Sequence, residues 1–162
     1  MFKLGIAGLV AVLVVPASEV AAQDTPAGPV VSGFSVSPAQ FRVGAKRTHA
    51  VIARAAVGTT FGYTLSMPAT VKIALERRLR GRLVGDTCMR GRRSLSKHPR
   101  CVRFRPMGVI ERNGVADDNS VKFTGRLVRT RPFPPGAYRA TIVAQSGGAS
   151  STPESVTFRI VP

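Results

Sequence analysis

The chain of 162 residues is poor in the residue types that build most catalytic and metal centres. It has no Trp, two Cys, two His and only eight acidic residues, against 24 Lys and Arg. These counts of Cys and His do not favour a zinc cluster. No Gly-rich phosphate-binding motif lies between a strand and a helix. The hydrophobic fraction of 44% is nevertheless sufficient for one folded core, so the composition indicates a small globular protein rather than a disordered one.

Motifs for catalysis are also scarce. A Ser or Cys nucleophile needs a neighbouring base, but His49 and His98 both lie in basic stretches without a nucleophile motif. The acidic residues follow no glycosidase pattern, and Asp117, Asp118 and Asn119 are typical of a turn rather than of a calcium site. The sequence therefore predicts a protein that is not an enzyme and has no cofactor or metal. A small secreted hydrolase, with one His beside a carboxylate and a Ser, is the alternative.

The first 22 residues have the pattern of a secretory signal peptide. Lys3 precedes an apolar run at 4–15, and small residues lead to a cleavage site after Ala22. The apolar run is about a dozen residues long, shorter than the roughly 20 residues of a membrane-spanning helix. We expect a secreted or cell-surface protein without a transmembrane span in its mature form. An uncleaved N-terminal anchor is the alternative.

Export changes the interpretation of the two cysteines. Cys88 and Cys101 form an even pair in a small exported chain, and oxidising compartments favour a disulfide. In the chain-entropy model, a loop of this size is stabilised by roughly 3 kcal/mol when it is closed. A metal pair, which lacks further ligands, and a redox pair, which is usually Cys-x-x-Cys, are the alternatives.

Short segments of alternating apolar and polar residues dominate the rest of the chain. Residues 23–33 are rich in Pro, Gly and Ala and are predicted to be a linker, followed by a single domain at 34–162. Turn residues separate the alternating segments, which are 61–65, 71–75, 121–123, 138–144 and 156–160. This period of two predicts an all-β, antiparallel sandwich. The nearest approach to a helix, at 75–83, is interrupted by Gly81.

Four stretches of the chain, which overlap these segments, resemble the immunoglobulin-like and fibronectin type III-like domains of exported bacterial proteins, particularly those of actinobacterial type. They are 60–73 (TFGYTLSMPATVKI), 119–126 (NSVKFTGR), 135–140 (PGAYRA) and 158–161 (FRIV). Many members also have a Cys pair with an arginine-rich stretch between the two cysteines. The resemblance implies an immunoglobulin-like sandwich that acts as a surface, spacer or adhesion module. In place of the acidic turn common in the family, this chain has QSGGAS at 145–150.

A structural motif is predicted just before the alternating segment 138–144. Pro135 and Gly136 allow a tight turn, and Tyr138 follows two residues after the glycine. In Greek-key sandwiches, a tyrosine at such a corner buries its ring and returns its hydroxyl to the backbone. We therefore predict that Gly136 and Tyr138 form a tyrosine corner, although Tyr138 as a simple core aromatic is the alternative.

Positive charge is the strongest signal outside the fold. The net charge is +16, and most of it lies around the two cysteines, in a predicted basic hairpin at 77–105. Its cations are Arg77, Arg78, Arg80, Arg82, Arg90, Arg92, Arg93, Lys97, Arg100, Arg103 and Arg105. Guanidinium groups bind phosphate, sulfate and carboxylate bidentately, and a field of this sign attracts anionic polymers.

The sequence thus supports two functions. The first is a non-enzymatic interaction or structural module whose partner is another exported protein. The second is binding of an acidic cell-wall or extracellular polymer through the hairpin. Nucleic acid is disfavoured as a partner, because Phe104 is the only aromatic residue there to stack on bases and the protein is expected to be exported. A basic surface that only keeps the protein soluble is the alternative to any binding role.

Overall fold

The computed structural model describes residues 28–44, 56–128 and 131–162. Within these ranges the chain forms twelve strands and one turn of 3-10 helix at Arg93–Leu95. The strands are β1 (Val31–Ser37), β2 (Gln40–Arg42), β3 (Thr59–Leu65), β4 (Ala69–Val84), β5 (Thr87–Arg90), β6 (Arg100–Gly114), β7 (Asp117–Phe123), β8 (Arg126–Val128), β9 (Arg131–Pro132), β10 (Gly136–Ser146), β11 (Ala149–Ser150) and β12 (Glu154–Val161). The predicted signal peptide lies outside the described residues.

Two sheets face each other to form a β-sandwich. One has the order β1-β3-β7 and is antiparallel throughout. The other has the order β2-β12-β10-β4, with β6 on the far side of β4. Its pairs are antiparallel except for β2 with β12, which run parallel. The prediction of an all-β sandwich is confirmed.

The alternating segments supply the core. On β3, Phe61, Tyr63 and Leu65 are buried while the residues between them are partly exposed, and β10 follows the same pattern. Aromatic rings join the two sheets: the centroids of Phe61 and Phe158 are 5.7 Å apart in an edge-to-face arrangement. Each such ring removes a large apolar area from water, so these contacts hold the sheets together.

The first strand starts earlier than the apolar pattern suggests. β1 begins at Val31, within the segment predicted as linker, and pairs with β3 from Val31 opposite Leu65. Val31 is buried, and so is Pro29 before it. The Pro and Gly residues of this segment are typical of turns and hid the strand in the sequence. Gly33 lies at a register shift of the pairing, where its φ is 65°.

At the start of β10, the chain turns sharply and buries an aromatic residue. The Tyr138 hydroxyl donates a hydrogen bond to the carbonyl of Pro134, four residues upstream, and its ring stacks on Phe158. Gly136 has a φ of 155°, and a Cβ there would lie 3.2 Å from Nε of Arg77. The hydrogen bond and the buried ring have the geometry of a tyrosine corner.

Candidate functional site

Two long strands leave the sandwich and carry the basic residues with them. β4 pairs with β10 only as far as Arg77, opposite Tyr138, whereas its pairing with β6 continues to Arg82, opposite Arg100. β5 then pairs with the end of β4, from Gly81 to Val84. These three strands, at residues 77–105, are named the arm. The predicted basic hairpin is therefore present as β4 and β6, and β5 adds a third strand that the sequence did not predict.

A disulfide closes the arm. Cys88 on β5 and Cys101 on β6 are bonded, which confirms the predicted bridge and leaves neither thiol free for metal or redox chemistry. Their Cα atoms are 5.9 Å apart, although strands that flank a third strand lie roughly 10 Å apart in a flat sheet. The two outer strands therefore curl towards each other over one face of β4.

Gly81 is the residue of β4 beneath this bridge. A Cβ at that position would lie 2.5 Å from the carbonyl oxygen of Met89 and 2.7 Å from Sγ of Cys88. Any side chain there would push the outer strands apart. The glycine that interrupts a helical pattern in the sequence is thus required by the close approach of β5 and the disulfide to β4.

The arm has no hydrophobic core of its own. From residue 78 to 105, Gly81 is the only buried residue, and three large apolar side chains, Leu83, Met89 and Val102, are 37%, 47% and 42% exposed. Backbone ladders and the disulfide therefore supply most of its stability.

Charge on the arm is almost all of one sign. Eleven Lys and Arg residues accompany one acidic residue, Asp86, which leaves a net charge of +10 out of +16 for the whole chain. The single ion pair found among the described residues joins Arg139 to Glu76, outside the arm. Within the described ranges, no ion pair therefore neutralises the positive charges of the arm.

The structure divides the predicted binding residues into three groups. The side chains of three arginines contact other residues of the chain. Arg77 donates to the Pro135 carbonyl, Arg82 donates to the His98 carbonyl, and Arg105 contacts the Met107 sulfur at 3.5 Å. Arg103 has a buried Nε without a hydrogen-bond partner in the described structure. Exposed cations without a side-chain partner in the same ranges are Arg78, Arg80, Arg90, Arg92, Arg93, Lys97 and Arg100.

Phe104, the aromatic residue of the basic stretch, contacts a cation of the sandwich. The Arg139 guanidinium lies 3.7 Å from the centre of its ring. Arg139 also donates from Nε and Nη2 to one carboxylate oxygen of Glu76, at 2.9 and 2.6 Å. One face of the ring is thereby covered by the protein.

Two of the remaining candidate positions, His98 and Asn119, have local structural contacts. His49 lies outside the described residues, and His98 is half-buried after the 3-10 turn, where its backbone N–H donates to the Leu95 carbonyl. The Asn119 side chain accepts from the Val115 N–H and donates to the carbonyls of Val115 and Asp117. The turn predicted at Asp117, Asp118 and Asn119 is wrong in position: the chain turns at 115–116, and these three residues begin β7 and pair with β3. Asp117 has a φ of 73° there.

Burial changes the acidity of two tyrosines. It raises the pKa of Tyr138 above the ordinary value of 10.0, against the opposing effect of the positive charges of Arg77 and Arg105. It also raises the pKa of Tyr63, which Arg112 opposes. Both phenols stay protonated at neutral pH.

Sequence reasoning missed Arg159 as a member of this site. It lies on β12, opposite Ala137 of β10, and projects towards the base of the arm. Only the register between these distant strands brings it there. The signal in the sequence is the alternation of the polar Arg159 with the apolar Phe158 and Ile160, which are buried while Arg159 is exposed.

Comparisons with known proteins do not assign this chain to a group: no protein family, curated protein or solved structure matches it. Across residues 28–44, 56–128 and 131–162, no helix has the length and hydropathy needed to cross a membrane.

Proposed function

We propose that the protein is a non-enzymatic secreted or cell-surface module of immunoglobulin-like fold that binds an acidic polymer through its arm. The observation that supports this most strongly is the net charge of +10 on the arm, none of it in an ion pair within the described structure. An excess of cations that face water is maintained at a cost in mutual repulsion, which a bound polyanion would relieve.

The partner class follows from the chemistry of the exposed groups. Arginine forks form paired hydrogen bonds with phosphate, sulfate and carboxylate groups, which are repeated along cell-wall polymers and acidic polysaccharides. Nucleic acid is a poorer candidate because base stacking needs exposed aromatic faces, and Phe104 is already in contact with Arg139. The signal-peptide pattern and the disulfide both suit a partner outside the cytoplasm.

Retention on immobilised heparin or teichoic acid tests this proposal. We expect binding that weakens steeply with salt, because each contact releases counterions. Changing Arg90, Arg92 and Arg93 to Ala removes three exposed charges from the distal arm and should lower the salt concentration of elution markedly. The control changes Lys72, Arg112 and Lys122 to Ala, which removes the same charge from exposed positions of the sandwich.

The two triple variants separate a binding arm from a generally basic protein. If both elute at the same lower salt concentration, total charge alone determines binding and the arm has no special role. If the wild type is not retained at all while a pull-down from the secreted fraction recovers a protein partner, the module binds another exported protein instead.

A further inference from the structure

A gap in the second sheet opens at the base of the arm. Along one side of β4, pairing with β10 ends at Arg77 and pairing with β5 begins at Gly81. Among the described strands, none lies beside residues 78–80 on that side. A groove of about 500 Å³ lies at this gap.

Four arginines are among the residues that line the groove. Arg78 and Arg80 are two residues apart on β4, so both point to the same face. Arg100 of β6 is on this face because it pairs with Arg82, and Arg159 of β12 reaches the groove from the sandwich. The other lining residues are Leu79, Cys101, Val102 and Ala137, and none of the lining residues is acidic.

In the part of the chain that the structure describes, none of these four side chains has a hydrogen-bond or ion-pair partner. Arg78, Arg80, Arg100 and Arg159 are exposed, and within the described ranges their guanidinium groups make no hydrogen bond or ion pair. By contrast, Arg82 and Arg139 on neighbouring positions donate to a carbonyl and a carboxylate. The groove thus concentrates cations that the fold itself does not use.

We propose that this groove is a binding site for a tetrahedral oxyanion, the phosphate or sulfate ester group of an acidic polymer. The proposal rests on the proposed function and specifies its ligand. A carboxylate has two oxygens in one plane, which suit one or two guanidinium forks. A phosphate or sulfate group holds its four oxygens tetrahedrally rather than in one plane. Two of them are unesterified in a phosphodiester and three in a sulfate ester. This arrangement suits cations that approach from three strands.

Space for the organic part of such an ester lies next to the oxyanion site. A second groove of about 580 Å³ shares Arg78, Ala137 and Arg159 with the first. It is also lined by Gln40 and Thr157, whose polar side chains suit the hydroxyl groups of a sugar or polyol.

Titration with small anions, followed by the amide NMR signals of the full chain, tests the site. Inorganic phosphate and inorganic sulfate should shift the amides of Leu79, Val102 and Ala137 in a saturable way. Acetate should bind at least tenfold more weakly, because it lacks the additional oxygens. Acetate binding as tight as that of phosphate would overturn the proposal.

Substitutions then locate the anion. Arg80→Gln and Arg159→Gln should each weaken phosphate binding about tenfold, and Arg80→Lys, which keeps the charge but loses the fork, should weaken it about threefold. The matched control, Lys72→Gln with Lys122→Gln, removes charge from exposed positions of the sandwich and should change phosphate binding less than twofold. Equal effects of the groove and control variants would overturn the site.

Competition identifies the source of the ester and separates this inference from the proposed function. Displacement of phosphate by teichoic acid indicates a phosphodiester ligand, and displacement by heparin indicates a sulfate ester. Displacement by neither polymer overturns the groove as their binding site. A protein retained by either polymer resin, yet without saturable phosphate binding, would likewise overturn the groove and leave the proposed function standing.

Discussion

The sandwich and the arm share two strands but are stabilised by different forces. In the sandwich, every second residue of β4 up to Leu75 is buried against the opposite sheet. Beyond Arg77, the only buried residue of the same strand is Gly81, which has no side chain. The first half depends on apolar contact with another sheet, and the second on pairing with β6 and on the disulfide. This difference leaves the arm's side chains free to contact a ligand, while the sandwich acts as its support.

Substitution of a core aromatic should have the largest effect and should fall on the sandwich. Phe158 is 4% exposed and contacts the rings of Phe41, Phe61 and Tyr138. Phe158→Ala should therefore lower the free energy of unfolding in urea by about 3–5 kcal/mol. The matched change in the arm, Leu79→Ala, should cost less than about 1 kcal/mol because Leu79 is only partly buried. Similar costs at both positions would show that the arm has a core after all.

Removal of the disulfide should loosen the arm and leave the sandwich folded. In a Cys88→Ser, Cys101→Ser variant, the chain-entropy model predicts a loss of about 3 kcal/mol. Amide hydrogens of β5 and of the first part of β6 should then exchange roughly a hundredfold faster. The chemical shifts of β3 and β12 should remain those of the folded protein, and their collapse would mean that the two regions fold as one unit.

Gly81→Ala should mimic part of that effect with the disulfide present. The new methyl group would be forced against the Met89 carbonyl and the bridge, at a cost of about 1–3 kcal/mol to arm closure. Gly91→Ala is the control, since a Cβ there meets no atom within 4 Å, and it should be neutral or slightly stabilising. Hydrogen exchange of the Met89 amide measures both, and equal protection in the two variants would contradict the close packing over β4.

The smallest effect is expected at the corner of the sandwich. Tyr138→Phe removes the hydrogen bond to Pro134 and should cost about 0.5–1.5 kcal/mol at neutral pH. Because burial raises the folded-state pKa, the unfolded chain loses the phenol proton first as pH increases. The stability that the protonated Tyr138 phenol contributes to the folded state is fully present below pH 10.0. It is lost as the pH rises from there through the folded-state pKa. Urea unfolding from pH 8 to 11 should show a shallower decline for Tyr138→Phe, and an unchanged slope would contradict burial of the phenol.

The same contrast explains what the sequence could predict. Alternation at 61–65 and 138–144 reports directly on burial, since a strand with one face in a core needs apolar residues at every second position. The disulfide was predictable from two cysteines in a chain with a signal-peptide pattern, and the confirmed bridge is Cys88–Cys101. The start of β1 was missed because Gly33 and nearby prolines are typical of loops.

The arm was harder to predict because its strands bury nothing. β4 continues to Val84 through pairing with β6, and no apolar period marks such pairing in the sequence. The groove depends on where β10 stops and β5 starts beside β4, and on the register that brings Arg159 close. These are contacts between strands that are far apart in the chain. The number of basic residues therefore predicted the basic region, but the sequence did not predict the groove within it.

The claim that the arm binds as a built structure, rather than as loose positive charge, is tested by comparing polymer affinity with and without the disulfide. The Cys88→Ser, Cys101→Ser variant has the same formal charge as the wild type, so only the geometry of the arm differs. We predict that its affinity for teichoic acid or heparin at a fixed salt concentration falls at least tenfold while β3 and β12 stay folded. Equal affinity of the two proteins would contradict the account, because binding would then follow from total charge alone.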